Sequence, residues 1–459
     1  MSAATDARPV VLIANRGEIA ARVIAACRRI GAEAVLAVSA ADADSPNARA
    51  ADRTLVIGPA AAAQSYLDPA LVAQAAVHAR ADVVHPGYGF LSEQPKLPRL
   101  LAAEGIRWAG PAPETLEAVG DKASAREIAR RAGVPVAAGA DVDDPHAVAG
   151  LGERIGFPLL IKAVHGGGGR GIKLAADAAE LERLAPLAAA EALAAFGRDE
   201  LYLERYYPAA RHVEVQVFGD GAGGCQVFGD RDCSVQRRHQ KLVEECPAPG
   251  LSEERRTRLH EAAAALVREL RYAGAGTVEF LVDTESDDVV FLEMNARIQV
   301  EHPVTEEAYG IDLVAAQLLL ALGRPTGLPD VPPVPPAAVI ECRINAEDPL
   351  HDFRPTPARF GPITWPAGPG IRVDTHVEPG YAFPPFYDSL VAKLIVRGHD
   401  RDAAVAGLLA AVRATDLGVP ASTLPVAEFV LAHPDFRKGG VPTTWFGPQW
   451  DAHVARGAA

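Results

Sequence analysis

Methionine is almost missing from this sequence: Met1 and Met294 are the only two. Cysteine is sparse as well, with five residues (Cys27, Cys225, Cys233, Cys246 and Cys342) and no C-x-x-C pair. That scatter excludes a zinc ribbon or disulfide framework and reads as reduced cytosolic thiols. No apolar run reaches the roughly 20 residues that a membrane span needs. The opening MSAATDARPV has no signal-peptide core. A cytoplasmic chain without a membrane partner is expected. Positive charge is short too, and a net charge of -14 argues against nucleic acid or an anionic bilayer as a partner. One basic island survives, RDCSVQRRHQK from Arg231 to Lys241, which suits a small anion better than a polymer.

Two common phosphate-binding signatures are absent. VVLIAN (Val10 to Asn15) reads as a buried strand, but NRGEIA follows it instead of G-x-G-x-x-G, which disfavours a plain dinucleotide site. HGGGGRG (His165 to Gly171) lacks the G-K-[ST] ending of a Walker A loop.

What is present describes a globular chain of several domains: 459 residues, 49% hydrophobic and 23% charged. Strands and helices alternate through ADVVHPG (Ala81 to Gly87), the pattern of a parallel, doubly wound sheet. From about Gly120 the pattern changes. A helix over DKASAREIARRAG precedes the strand FPLLIKAV, and strands at LYLERYY, HVEVQVFG and GGCQVFGD follow the glycine run. The proline-rich RPTGLPDVPPVPP reads as a linker to a last domain beginning near Ala337.

The stretch FLEMNARIQVEHP, Phe291 to Pro303, alternates apolar and polar residues. A period of two predicts an extended chain with Glu293, Asn295, Arg297, Gln299 and Glu301 on one side. A solvated edge strand gives the same stripe. Just upstream, TVEFLVD and VVFLEMN are strands joined by the turn TESDD. If Asp283 faces Val289 across this hairpin, Glu279 faces Glu293, with Asn295 two positions on. Opposed β-carbons lie about 4.5–5.5 Å apart, so two carboxylates there repel unless a cation lies between them. Hard oxygen donors of this kind suit Mg²⁺ with phosphate. Consecutive glycines free backbone N–H groups to fold over an anion, and Lys162, four residues before the first glycine, ends an apolar strand. Lys122 stands at a helix start. Flexible loops and solvated lysines have the same appearance.

With these pieces the chain resembles the biotin carboxylases of the ATP-grasp superfamily. IANRGEIA, HPGYGFLSE, GDKASA, GGGGRG, RHVEVQV, RDCSVQRRHQK, EMNARIQVEHPVTE, ECRINAED and FYDSLVAKLI follow in the family's order over nearly the whole chain. The resemblance implies an α/β fold of three parts. A doubly wound N-terminal domain would span 1–118 and an ATP-grasp domain 119–330, with a mobile glycine-loop lid at about 134–206. An α+β C-terminal domain would span 337–447.

It further implies ATP-dependent carboxylation of biotin by bicarbonate through carboxyphosphate. Lys122, Lys162 and the loop glycines Gly167, Gly168 and Gly169 would hold ATP phosphates. Glu204, Arg205 and Tyr207 would border adenine, while His212, Gln236 and His239 approach the nucleoside. Glu279, Glu293 and Asn295 would carry Mg²⁺ or Mn²⁺. Arg297, Gln299 and the Val300 backbone would hold bicarbonate, Glu301 would be the general base, Lys241 would stabilise carboxyphosphate, and Arg343 would steady the biotin enolate. The expected pKa of Glu301 is raised, by desolvation or a nearby negative charge. Cys233 is expected to serve packing.

His165, Tyr207, QPKLPRL after Glu93 and ASTLP (Ala421 to Pro425) depart from the family pattern. Neither methionine can supply the family's Met-Lys-Met biotinyl motif, so biotin is expected on a biotin carboxyl carrier protein or domain. A carboxyltransferase and a homodimer complete the expected partners. The first reading is the biotin carboxylase of an acetyl-CoA carboxylase, hence fatty acid biosynthesis. Its alternatives are the equivalent part of a propionyl-CoA, methylcrotonyl-CoA or pyruvate carboxylase, another ATP-grasp carboxylate–amine ligase, and a non-catalytic ATP-binding subunit.

Overall fold

The computed structural model describes residues 8–164, 172–286, 288–333, 335 and 337–457. His165, Gly167, Gly168 and Gly169 lie outside the described residues. The chain forms two compact units, the first made of Met1–Val134, Arg211–Phe280 and Glu293–Ala459, the second of Pro135–Ala210 and Leu281–Leu292.

In the first unit, β1 (Val10–Ile13), β2 (Glu33–Ser39), β3 (Arg53–Gly58), β4 (Val83–His85) and β5 (Arg107–Trp108) form a parallel sheet in the order β3-β2-β1-β4-β5. The period of two along β1 separates two cores. Val11 and Ile13 pack with Ile19, Val23 and Cys27 of the Gly17–Arg29 helix, whereas Leu12 and Ala14 pack with Val72, Ala76, Leu97 and Leu101. Each of the Val, Leu and Ile side chains among them contributes about 1.5–3 kcal/mol by leaving water. This is the doubly wound sheet that the sequence predicts. Its two terminal motifs are tied together by Asn15, whose Nδ2 donates to the carbonyls of Pro86 (2.6 Å) and Tyr88 (2.7 Å). Gly87 sits between them at φ +63°, where a Cβ would come within 2.8 Å of Asn15 Nδ2.

The second unit holds an antiparallel sheet of β6 (Gly139–Val142), β7 (Leu159–Ala163), β8 (Ile172–Ala175) and β9 (Leu201–Arg205), in the order β6-β9-β7-β8. The Ala178–Phe196 helix lays Leu181, Ala185, Ala188 and Ala192 on it at helical spacing, against Leu159, Ile161 and Leu203.

The remaining strands are β10 (Ala210–Asp220), β11 (Cys225–Arg237), β12 (Gln240–Cys246), β13 (Ala273–Asp283), β14 (Val289–Asn295), β15 (Ala338–Asn345), β16 (Glu347–Asp348), β17 (Arg354–Pro355), β18 (Ile371–Thr375) and β19 (Leu390–Gly398). Eight of them make one sheet, β14-β13-β10-β11-β12-β15-β19-β18, and β16 and β17 pair separately. Strands on either side of the proline-rich stretch are therefore hydrogen-bonded to each other, with Val243 opposite Cys342 and Glu244 opposite Glu341.

Two sequence expectations need correction. The polar stripe is extended only as far as Asn295; the chain then turns, and a helix runs over His302–Tyr309. The turn is stabilised where the Gln299 carbonyl accepts from His302 Nδ1 (2.7 Å) and the His302 N–H (3.3 Å), and Pro303 suits a first helical turn. Leu292, from the apolar set, is 40% exposed. The hairpin also closes differently at its mouth: the Asp283 N–H donates to the Asp288 carbonyl (3.0 Å), while the Phe291 N–H turns to Pro135 (2.7 Å). At the turn the Asp283 N–H thus bonds one residue short of its expected partner, Val289.

Among the described residues no helix is long and apolar enough to cross a membrane.

Candidate active site

β10 reads HVEVQV, a polar–apolar alternation, yet its residues are buried from Ala210 through Gly219. Its polar face is covered by other polar groups. Glu214 pairs across the ladder with Arg231 of β11 and is ion-paired to its guanidinium. Arg231 Nη1 also donates to Gln216 Oε1 (2.7 Å) and Thr305 Oγ1 (2.9 Å), and Nη2 to Thr277 Oγ1 (3.1 Å). Arg231 is therefore a wholly buried structural cation. The expectation that the basic island as a whole holds an anion is corrected at this residue, and at Arg237 and Arg238, which both pair with Asp352.

Lys241, at the start of β12, is the centre of the cluster. Its Nζ donates to Glu214 Oε2 (2.6 Å), Glu279 Oε1 (3.1 Å) and Glu301 Oε1 (2.6 Å). Burial opposes its charge, but those three carboxylates hold its pKa well above the usual lysine range. Glu279 also accepts from Gln299 Nε2 (2.9 Å) and faces His212 Nε2 at 2.9 Å. Burial would raise Glu279, but Lys241 and His212 hold it below the usual carboxylate range.

Glu301 caps the His302–Tyr309 helix and has no exposed surface. Its second oxygen accepts from Arg343 Nη2 (2.9 Å), and Arg343 Nε is held by Glu244 Oε1 (2.6 Å). Burial alone would raise Glu301, yet Lys241, Arg343 and Arg231 hold it well below the usual carboxylate range. The raised pKa expected from the sequence is therefore reversed in this structure. Neighbouring cations outweigh desolvation.

Arg297 is bound by the protein itself. Its Nε donates to Glu93 Oε2 (3.2 Å), Nη1 to Gln299 Oε1 (2.8 Å) and Nη2 to Asn295 Oδ1 (2.7 Å). The backbone beside it is fixed where buried Lys393 donates to the Val300 carbonyl (2.8 Å) and pairs with Glu18 (2.9 Å). Glu293 is exposed, but desolvation and the like charge of Glu279 raise its carboxyl, with Lys122 and His212 acting the other way. Asn295 is buried, and its Nδ2 has no partner among the described residues. Two mutually repelling carboxylates beside a buried amide form a hard-donor set that fits Mg²⁺. The tighter grouping is different: His212, Glu214 and Glu279 place ligand atoms within 4.8 Å of one another, as do Glu214, Cys233 and Glu301. Cys233 is fully buried, and burial together with Glu214 raises its thiol pKa well above the usual range, as suits packing.

The other predicted residues make contacts of their own, and Gln236 stands opposite Lys241 in the β11–β12 ladder. Lys122 begins the Lys122–Arg131 helix, capped by Asp121 Oδ1 accepting from the Ser124 N–H (2.7 Å), and its side chain is exposed. His239 is exposed at φ +69°, and Gln236 Nε2 donates to the Cys233 carbonyl (3.3 Å). In the second unit Lys162 pairs with Glu204, Arg205 donates to the Phe157 carbonyl, and Tyr207 is half-buried. Sequence reasoning assigned no role to Glu214, Glu244, Lys393 or Glu18. The polar alternation of HVEVQV was the available signal for Glu214.

The family model described as "Biotin carboxylase, N-terminal domain" matches residues 8–116. "Carbamoyl-phosphate synthase L chain, ATP binding domain" matches 121–328, and "Biotin carboxylase C-terminal domain" matches 341–447. A biotin carboxylase of Nostoc sp. is 42% identical over 95% of this chain and 98% of its own length. One of the pyruvate carboxylase subunits of Methanothermobacter thermautotrophicus is also 42% identical, over 94% of this chain and 88% of its own. The biotin carboxylase domain dimer of the Hydrogenobacter thermophilus 2-oxoglutarate carboxylase, solved with MgADP, ADP and bicarbonate, superposes with a TM-score of 0.87 at 38% identity, covering 97% of this chain and 98% of that one. The chain belongs to the biotin carboxylase family, ATP-dependent ligases that carboxylate biotin.

Proposed function

We propose that Glu301 is the general base of this carboxylation and that Lys241 and Arg343 are the cations it serves with. One observation carries the assignment: a fully buried carboxylate stands between an ammonium at 2.6 Å and a guanidinium at 2.9 Å. Glu301 is ionised and able to accept a proton, but both cations weaken it as a base. Each cation also has a second anion to serve. When Lys241 turns toward substrate oxygens, Glu301 loses the positive charge that depresses it and gains basicity as the proton moves. Bicarbonate, positioned by Arg297, Gln299 and Val300, gives its O–H proton to Glu301. The freed oxygen attacks the γ-phosphorus while the bond to ADP breaks. Carboxyphosphate then divides into CO₂ and phosphate, and the phosphate takes the biotin N1 proton. Arg343 steadies the negative charge on the enolate oxygen, and the electron pair left on N1 forms the new bond to the carbon of CO₂.

Glu279, Glu293 and Asn295 would hold Mg²⁺ or Mn²⁺, which neutralises charge on phosphate oxygens. Lys122 and Lys162 are proposed phosphate ligands, with Glu204, Arg205 and Tyr207 beside adenine and His212, Gln236 and His239 beside the nucleoside. The segment 134–206 is the proposed lid. Biotin arrives on a carrier protein or domain, a carboxyltransferase consumes the product, and the functional form is a homodimer. The acceptor reading is acetyl-CoA. Pyruvate is the second, favoured by the similarity to part of a pyruvate carboxylase.

Phosphate release with free biotin, bicarbonate and Mg²⁺, each omitted in turn, tests the reading. Full release is expected only with all three. Release that ignores bicarbonate overturns it.

A further inference from the structure

Behind Arg343 lies a pair of acids that this chemistry does not use. Glu341 and Glu244 are directly opposed on β15 and β12, and neither has any exposed surface. Opposed β-carbons stand about 4.5–5.5 Å apart, and two ionised carboxylates cannot share such a site without water or a cation between them. The two acids are not equivalent. Glu244 Oε1 accepts from Arg343 Nε at 2.6 Å, whereas neither oxygen of Glu341 has a hydrogen-bond partner among the described residues.

The charged surroundings of Glu341 are known on every side. Arg343 lies two residues along its own strand, committed to Glu244 and Glu301. Lys393 approaches from β19, opposite Arg343 in the ladder, and its Nζ is spent on Glu18 and the Val300 carbonyl. The His302–Tyr309 helix brings Glu301 at its cap, then His302, kept uncharged by burial and by Lys393, and Glu306, paired with Arg22 and Arg372. The Arg401–Ala414 and Leu424–Ala432 helices, also packed on β15, bury only Ala, Val, Leu and Phe side chains.

We propose that Glu341 and Glu244 share a single proton, carried by Glu341, and that this proton positions Arg343 for carboxylation. With Glu341 neutral, the guanidinium is divided between Glu244 behind it and Glu301 in front, and Nη2 stays on the reacting side. Without the proton a second negative charge stands behind Arg343 and draws it away from Glu301. Glu341 touches no substrate and is a positioning residue. The proposal deepens the reading above, on which the roles of Glu301 and Arg343 rest. The acid strengths agree with it. Burial raises Glu341 well above the usual carboxylate range, with Lys393 opposing and Glu244 adding, while burial brings Glu244 to about 7 against the pull of Arg343.

The test is infrared difference spectroscopy combined with pH profiles of kcat/KM for biotin. The Glu341→Gln minus wild-type spectrum is expected to show loss of one protonated-carboxyl C=O band at neutral pH. The alkaline decline in kcat/KM is expected to move up by about one pH unit or more, where tenfold is 1.4 kcal/mol. Glu244→Gln, which removes the repelling neighbour, is expected to shift titration of that band to lower pH, and it keeps the test alive if Glu341→Gln does not fold. A difference spectrum without the band, a band that titrates in Glu244→Gln as in wild type, or an unchanged alkaline decline overturns the proposal. The band is read without turnover. A failed role for Glu301 would leave the band in place, which separates the two failures.

Discussion

Two regions of this molecule hold lysines in opposite ways. In the first unit, Lys241 is 11% exposed and meets three carboxylates within 3.1 Å. In the second, the side chain of Lys162 is 28% exposed and its partner among the described residues is a single carboxylate, Glu204. The first arrangement is organised before any substrate binds, and in the proposed mechanism Lys241 has only to turn from Glu301 to nearby substrate oxygens. The second is a more exposed pair at the end of a strand, and an arriving anion can compete with that carboxylate. Preorganisation is concentrated where the proposed mechanism moves charge. The lysine proposed only for binding is left accessible.

The contrast is tested most severely at Glu301. Glu301→Gln keeps shape and removes the base, so kcat for carboxylation is expected to fall by about 10²–10⁴. Nucleotide affinity, measured by equilibrium binding, is expected to stay within about twofold. Unchanged turnover removes the assigned base and makes the buried cluster structural.

Lys241→Met tests whether the cluster stores stability as well as chemistry. Removing the ammonium leaves Glu214, Glu279 and Glu301 buried beside one another, and stranding buried charge costs about 3–5 kcal/mol. Denaturant unfolding at neutral pH should show a loss of that size. A loss under about 1 kcal/mol would mean that Arg231, Arg343 and His212 balance the acids without Lys241.

Lys162→Met should separate the two regions. A partly exposed ion pair stabilises by about 0–1 kcal/mol, so unfolding should hardly change. The KM for ATP should rise about tenfold, equivalent to 1.4 kcal/mol. A stability loss as large as that of Lys241→Met would erase the distinction between them.

Much of this was legible in the sequence because it depends on neighbours along the chain. The doubly wound sheet follows from strand–helix alternation, the β13–β14 hairpin from two β-rich runs around TESDD, and the helix at Lys122 from the preceding Asp121. The acidity of Glu301 was not legible. It is set by Lys241, 60 positions away, and Arg343, 42 positions away, and only folding brings both within 3 Å. Glu214 was missed for a related reason. A polar alternation on one strand looks solvated until a second polar face, here Arg231, covers it. In the same way Glu244 and Glu245 are adjacent in sequence yet serve different cations, Arg343 and Arg401, because successive residues of β12 face opposite sides.

Tyr207 is the position where the smallest effect is expected. The family resemblance places an aliphatic residue here, and the substitution brings a phenol whose pKa is raised by burial and by Asp288. A hydroxyl hydrogen-bonded to Asp288 ties the ring to the Leu281–Leu292 segment of its own unit, so the ring is held by protein as much as by any nucleotide. Tyr207→Leu restores the family type, and its KM for ATP should change by less than about threefold, below 1 kcal/mol. Tyr207→Phe isolates the hydroxyl and should alter the KM no more than that while slightly lowering stability. A tenfold loss in Tyr207→Leu that Tyr207→Phe does not share would make the aromatic face itself a nucleotide contact. The second unit would then contain at least one surface as specifically shaped as the centre around Lys241.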